Sequence, residues 1–190
     1  MRIRKMLIKI WLFVDPFYCS FTRLRLITSS LESDGVFRVR LTKYKGNDVI
    51  LTDGTEVFKN DLFLKIHLHN VKVLNDSLNV KNEMLKGRQL YRKVKNSMPS
   101  LASFIRTHPD SERIKGVIGI TMINKGYLSL GFDCVFPQNK MYSLYKKISH
   151  IPIYLLSKKN FSMEVLKKER IVYLMMSKDK LLDSYKIVSE

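Results

Sequence analysis

The chain of 190 residues is the size of one domain, and a hydrophobic fraction of 45% excludes an intrinsically disordered protein. Its formal net charge of +17 favours anionic partners such as nucleic acid, anionic lipid surfaces or wall polymers, although a surface that serves only solubility would show the same imbalance. Cys19 and Cys134 lie far apart without a CxxC motif, which excludes a zinc ribbon or a disulfide framework and favours a reduced compartment.

The first segment, residues 1–27, is predicted to be helical, as one helix over 3–14 and a second over 17–27 after Pro16. Four apolar residues share a face of the first helix at spacings of three and four: Met6, Ile10, Phe13 and Val14. We expect this stripe to pack on the rest of the domain, burying Ile10 and Phe13 and leaving Lys5 and Lys9 outside.

A basic amphipathic helix that lies on a membrane is the alternative for this segment. Export is not predicted, because Lys9 interrupts the apolar run and no small-x-small cleavage site follows it. A transmembrane span is not predicted either, because about 20 consecutive apolar residues would be needed.

Apolar and polar residues begin to alternate after the polar loop at 28–35. From Arg38 onward it predicts a strand with Val39 and Leu41 on one side and Arg38 and Arg40 on the other. A short strand over 49–51, a hairpin-type turn at Asp53-Gly54 and a third strand over 62–71 complete a small antiparallel meander.

The second half is predicted to alternate between helices and short strands. A long helix over 77–95 and a shorter one around 101–105 flank Pro99. Further strands are predicted at 116–123, 132–136, 153–156 and 171–176, and further helices at 124–130, 141–148 and after Ser177, an N-cap. The fold class is therefore α+β, in one domain over 1–190. A boundary near residue 110 would divide it into halves 36–109 and 110–190.

The stretch from Lys65 to Asn70 contains the most informative polar residues. On a strand, His67 and His69 would share one face while Ile66 and Leu68 share the other. A His-x-His pair suits a metal, but His108 and His150 are the only other histidines and neither is adjacent, so no metal site is predicted. Neither GxxxxGK[ST] nor GxGxxG occurs, and no cofactor is predicted.

Two basic groupings could bind anions. Arg38 and Arg40 share a strand face and, with Lys65, could form a cationic patch for phosphate or carboxylate, or could be a solvated strand face. A second grouping interleaves aromatic and basic residues, as some nucleic-acid binders do: Tyr142, Tyr145, Lys146 and Lys147.

Several stretches together resemble one family, in its order and spacing. They are Phe37 to Leu41, Asp53-Gly54, Asn60 to Asn70, Ser100-Leu101-x-x-Phe104, Gly119-x-Thr121, Leu130-Gly131-Phe132 and Met176-Ser177-x-x-x-Leu181-x-x-x-Tyr185. The chain resembles a YkoP-like domain, the kind found alone or fused behind polysaccharide deacetylase catalytic domains. No Asp-Asp dyad followed by HxxxH occurs, so deacetylase activity is not implied.

The resemblance implies an accessory module of undetermined activity. We expect a non-catalytic accessory domain that is linked to envelope polysaccharide metabolism and located in the cytoplasm or at the inner membrane surface. The resemblance centres on a histidine and an asparagine that fall on His67 and Asn70, with Lys65 where an acidic residue often stands. The sequence predicts a ligand-binding set of Arg38, Arg40, Lys65, His67, His69 and Asn70. An enzyme that uses His67 and Asn70, and a nucleic-acid binder supported by charge, are the alternatives.

Overall fold

The computed structural model describes residues 2–22, 24–27, 35–78, 80, 82–122, 126–157 and 169–186. The α-helices are α1 (Arg2–Thr22), α2 (Asn70–Asp76), α3 (Glu83–Thr107), α4 (Lys140–Ser157) and α5 (Lys178–Ser184). The strands are β1 (Arg25–Leu26), β2 (Phe37–Lys43), β3 (Val49–Ile50), β4 (Glu56–Val57), β5 (Leu62–Leu68), β6 (Ile114–Thr121), β7 (Asp133–Val135) and β8 (Val172–Ser177). The polar loop predicted before β2 falls, up to residue 34, outside the described residues, as do residues 123–125.

One six-stranded sheet organises the molecule and confirms the α+β class. Its order is β1-β2-β5-β6-β8-β7, with β5 and β6 parallel and every other neighbouring pair antiparallel. The predicted meander is only partly right, because β2 and β5 pair directly while β3 and β4 form a separate hairpin between them. β5 ends at Leu68 rather than Val71, and α2 begins at Asn70. The β5–β6 pair joins strands from both sides of residue 110 in one sheet.

The main core fills the first face of this sheet. Met98, Leu101 and Ile105 of α3 are fully buried against Val39 and Leu64 of the central strands. Each such side chain contributes roughly 1.5–3 kcal/mol on burial. This contribution explains why α3 runs unbroken through Pro99. The predicted break at Pro99 is therefore wrong, since proline removes one backbone hydrogen bond while the residues around it keep the helix on the sheet.

The second face of the sheet is covered by the β3–β4 hairpin, α4 and α1. Phe63, Tyr173 and Met175 of the sheet pack with Tyr44, and Tyr142 of α4 packs edge-on against Tyr173 at 6.3 Å between ring centroids. The predicted strand at 153–156 is wrong, because these residues continue α4 beyond Pro152. α4 and α1 therefore form a helical layer opposite α3.

The packing of α1 differs from the prediction in two ways. The helix continues through Pro16 to Thr22, and Arg25–Leu26 form a strand instead of a second helix. Ile10 is 52% exposed and Phe13 is 75% exposed, so the prediction that they are buried is wrong. The helix docks through its opposite side, where Ile8 is fully buried against α2 and Asp15 is buried against β2.

Candidate functional site

Polar side chains form a row on the second face of the sheet, where β2 and β5 run side by side. In the antiparallel register Arg38 is opposite His67, and Arg40 is opposite Lys65. Directly opposite residues lie on the same face with their Cβ atoms about 5 Å apart. The flanking residues Val39, Leu64 and Ile66 contact the main core on the other face. The period of two therefore places four of the six predicted ligand-binding residues together.

The first part of this row is neutralised, and we call Asp15, Arg38 and His69 the ion-paired cluster. Arg38 donates from both terminal nitrogens to the two carboxylate oxygens of Asp15, at 2.7 Å for Nη1 to Oδ1. The Nε2 atom of His69 lies 2.7 Å from Arg38 Nη2 and 3.1 Å from Asp15 Oδ2. This bidentate geometry is the strong form of an arginine–carboxylate pair.

The ionisation of the ion-paired cluster follows from these contacts. Burial alone would raise the pKa of Asp15, but the hydrogen bond and charge of Arg38, together with His69, lower it overall. Burial, followed by the charge of Arg38, lowers the pKa of His69 although Asp15 opposes both. A neutral His69 can accept a hydrogen bond from Arg38 at Nε2, because arginine only donates. The cluster therefore fixes α1 to β2, although the Nδ1 atom of His69 is buried without a hydrogen-bond partner among the described residues.

Among the described residues, no acid pairs with the second part of the row, and we call Arg40, Lys65, His67 and Lys146 the cationic cluster. Lys65 is only 7% exposed and makes no hydrogen bond or ion pair to any described residue. The Nε2 atom of His67 is likewise buried with no described hydrogen-bond partner. Arg40 is exposed at the edge of this group.

α4 closes the cationic cluster from above the sheet. Tyr142, Lys146 and His150 recur every four residues, a spacing that puts them on one side of a helix. The Lys146 ammonium group lies 5.6 Å from the ring centroid of Tyr142 and 5.4 Å from that of Tyr145. Contacts of this kind orient an ammonium group without neutralising it. α4 therefore adds positive charge to a site that is already cationic.

The electrostatics of the cationic cluster reflect burial among like charges. Burial, then Lys146, then Arg40 lower the pKa of Lys65 to about 8. Burial, followed by the charges of Lys65, Arg40, Lys146 and His150, lowers the pKa of His67 to about 3. At neutral pH the cluster therefore presents three cations around a neutral imidazole.

The six predicted ligand-binding residues divide between three places. Arg40, Lys65 and His67 belong to the cationic cluster, whereas Arg38 and His69 belong to the ion-paired cluster. Asn70 is the first residue of α2, and its side chain has no hydrogen bond to a described residue.

Sequence reasoning missed Asp15 and the electrostatic effect of Lys146 and His150 on the β5 residues Lys65 and His67. Two signals were available: Asp15 is the one acidic residue of α1, and the four-residue repeat on α4 aligns Lys146 with His150. In the described ranges, no group of three or more His, Cys, Asp and Glu residues is positioned to hold a metal ion.

Residues of the family-like stretches bond to one another across the fold. Ser177 caps α5 by accepting from the Lys180 amide, and its hydroxyl donates to Asp53 in the hairpin turn. The Tyr185 hydroxyl donates to the Leu130 carbonyl at 2.9 Å. These contacts join distant segments of the chain and expose no reactive group. This part of the pattern therefore reflects the fold rather than a reaction.

Comparisons with known proteins agree with the pattern. The profile of the family described as YkoP domain matches residues 4–185. The chain is 48% identical over 178 residues to "Uncharacterized protein YkoP" of Bacillus subtilis (strain 168), which covers 94% of this chain and 95% of that protein. No solved structure gave a significant match.

Proposed function

The chain belongs to the YkoP domain family. Because the name of the matched relative states no activity, we propose a function from the site itself. We propose that the chain is a non-catalytic accessory domain whose cationic cluster binds an anionic group of a cell-envelope polysaccharide. We also propose that residues 1–190 act as one domain, in the cytoplasm or at the inner membrane surface. The pairing of β5 with β6 and the absence of a CxxC motif support these two points.

The observation that carries the proposal is the side chain of Lys65, which is only 7% exposed and whose ammonium group has no hydrogen bond or ion pair to a described residue. A buried charge is costly unless an opposite charge or hydrogen bonds compensate it. Here the directly opposite residue, Arg40, is also a cation, and like charges across a strand pair repel. An anion bound between Arg40, Lys65 and Lys146 would remove this repulsion and satisfy the ammonium group at the same time.

The chemistry of the cluster matches a carboxylate or phosphate group. The Arg40 guanidinium can donate two parallel hydrogen bonds to such a group, and Lys65 and Lys146 supply point charges. His67 remains neutral at physiological pH and can donate one further hydrogen bond from Nε2. Polysaccharides of the envelope carry such groups, and the deacetylase association that the sequence resemblance implies is our reason for proposing them as the source.

The two alternatives have weaker support. An enzyme would need His67 to exchange a proton near its working pH, yet a pKa of about 3 keeps this imidazole neutral and weakly basic. No described contact joins His67 to Asn70. A nucleic-acid binder is supported by the net charge alone, which predicts weak and salt-sensitive binding without sequence preference.

The test replaces the buried cation and leaves an exposed one as a control. Lys65→Met removes the buried charge, whereas Lys43→Met removes an exposed lysine from the end of β2. Thermal unfolding and calorimetry with oligogalacturonate, and separately with inorganic phosphate, should show saturable binding to the wild type. We expect binding to weaken about tenfold or more in Lys65→Met and to be nearly unchanged in Lys43→Met.

The unliganded variants add a second readout. Without ligand, Lys65→Met should be more stable than the wild type by roughly 1–3 kcal/mol, because the buried charge is gone. If Lys65→Met is more stable than the wild type and no longer binds the ligand, then Lys65 is a binding residue that lowers the stability of the unliganded fold. Equal loss of binding in the two methionine variants would instead show that only overall charge matters and would refute the proposed site.

A further inference from the structure

The outer side of α1 is an unusual feature for a packed domain. Five large apolar residues follow one side of the helix at spacings of four, three, four and four, and each is more than half exposed: Met6, Ile10, Phe13, Phe17 and Phe21. Phe13 and Phe17 also contact each other, with ring centroids 6.2 Å apart. We call these five residues the outer stripe of α1.

The outer stripe is exposed although the helix is firmly docked. Ile8 is fully buried with Val71 and Leu74 of α2, and Trp11 packs against the same group. Asp15 adds the bidentate pair with Arg38. Because these contacts use the opposite side of α1, the helix cannot turn its phenylalanines inward without breaking them.

A second exposed stripe lies on α4. Four of its residues that lie along one side are more than half exposed: Met141, Leu144, Tyr145 and Ile148. α4 packs on the second face of the sheet through Tyr142, the same face that Asp15 of α1 contacts through Arg38. Both helices also contact α2. The two stripes therefore belong to one helical layer and are directed away from the sheet.

The charges of these two helices are of one sign. α1 contains Arg2, Arg4, Lys5 and Lys9, and α4 contains Lys140, Lys146 and Lys147. Their only carboxylate is Asp15, which is buried in the ion-paired cluster. An exposed apolar stripe on helices whose only acid is buried, and whose other charged residues are all basic, is complementary to a bilayer that contains anionic lipid.

We propose that the outer stripe of α1, assisted by that of α4, is a peripheral binding surface for an anionic lipid bilayer. The phenylalanine rings enter the boundary between headgroups and acyl chains, and the cations contact lipid phosphates. α1 lies in this boundary and does not cross it. In the described part of the chain, no helix combines the length and apolar character that a membrane span requires. The outer stripe of α1 shares no residue with the cationic cluster, whereas the α4 stripe adjoins it, because the ring centroid of Tyr145 lies 5.4 Å from the Lys146 ammonium group.

The experiment is sedimentation of the full chain with vesicles. The wild type should bind vesicles of phosphatidylcholine with phosphatidylglycerol, bind pure phosphatidylcholine far more weakly, and lose affinity as salt is added. Phe13→Asp with Phe17→Asp should weaken binding about tenfold or more, because two rings that insert into the bilayer are replaced by negative charges that the anionic lipid repels. Ile50→Asp with Phe58→Asp is the matched control on the exposed β3–β4 hairpin and should bind like the wild type.

Two further measurements keep the outcome decisive. Trp11, the one tryptophan of the chain, packs on the inner side of α1, so an unchanged emission spectrum shows that the variants keep the docked helix. Lys65→Met should sediment like the wild type, which separates this surface from the proposed ligand site.

Equal binding by both double variants would overturn the proposal. A second result would also overturn it: the wild type forms a dimer that does not bind vesicles, and the Phe13→Asp, Phe17→Asp variant is a monomer. The stripe would then be covered by a second copy of the chain. Loss of vesicle binding in Lys65→Met would assign the lipid headgroup to the cationic cluster instead.

Discussion

The two clusters on the second face of the sheet contain similar residues but differ in one carboxylate. Arg38 and Lys65 are both buried cations on neighbouring strands, and each has a histidine close by. Arg38 is paired with Asp15, whereas Lys65 has Arg40 and Lys146 as its charged neighbours. A buried cation with its own acid is a structural element. A buried cation among other cations is a candidate ligand site.

The difference originates in the helices that cover each cluster. α1 brings the carboxylate of Asp15 to Arg38, and α4 brings the ammonium group of Lys146 to Lys65. The strands are similar in both places, since β2 supplies an arginine to each and a histidine lies close by, His67 on β5 and His69 directly after the end of β5. The covering helix therefore decides whether the same strand chemistry stabilises the fold or is left to bind a partner.

The largest expected effect is the loss of the acid from the ion-paired cluster. Asp15→Asn should lower the free energy of unfolding by about 3–5 kcal/mol, because it leaves the Arg38 guanidinium buried without a counter-charge. Urea unfolding measures this loss. Adding Arg38→Met to Asp15→Asn should recover part of the stability, because the unpaired charge is then removed. A loss below about 1 kcal/mol in the single variant would place this pair with ordinary surface ion pairs and remove the contrast between the clusters.

The second prediction is that loss of the Lys65 charge stabilises the fold, which makes the stability depend on pH. Lys65 has a pKa of about 8 in the folded chain and 10.5 in the unfolded chain, so between these values the unfolded chain holds more protons. The free energy of unfolding should therefore rise as pH increases from about 8, by up to about 3 kcal/mol over the full range. Burial raises the pKa of Tyr142 and Tyr173, which opposes this rise only above pH 10.

Denaturant midpoints measured between pH 7 and pH 10 test this directly. The rise should be reduced in Lys65→Met, where Lys146, whose pKa is lowered by burial and by Arg40, still contributes, and it should be unchanged in Lys43→Met. If the wild-type curve is flat or falls over this range, the ammonium group of Lys65 is already solvated or paired, and the cationic cluster is not short of an anion.

The sequence predicted local features better than contacts between distant segments. Alternation of apolar and polar residues identified β2, β5 and the faces of Arg40 and Lys65, because strand geometry is a property of neighbouring residues, but it did not predict that β2 pairs directly with β5. Ser177 was recognised as an N-cap for the same reason. The pairing of Asp15 with Arg38 spans 23 residues, and no local pattern encodes it.

Errors at prolines and on α1 have a common physical cause. Pro16 and Pro99 were read as breaks, and a strand was predicted just beyond Pro152, yet all three lie inside helices whose neighbouring residues pack on the domain. The apolar stripe of α1 was expected to face inward. A buried ion pair and Ile8 fixed the opposite side instead, so that the most hydrophobic face points outward. Periodicity identifies a face but not what covers it.

The smallest expected effect concerns the contribution of α4 to the cationic cluster. After burial, the charge of Lys146 is the largest cause that lowers the pKa of Lys65. Lys146→Gln should therefore raise that pKa and move the onset of the pH-dependent rise to higher pH. The change in stability at pH 7 should stay below about 1 kcal/mol, because relief of repulsion is offset by the lost contacts with Tyr142 and Tyr145.

Lys147→Gln is the matched control, since it removes the same charge one residue along α4, where the amine donates to the Glu169 carbonyl at 2.7 Å. An equal movement of the onset in both variants would mean that Lys65 senses the overall charge of α4. Movement in Lys146→Gln alone would show that the helix places one particular ammonium group against the buried lysine, as the contrast between the two clusters requires.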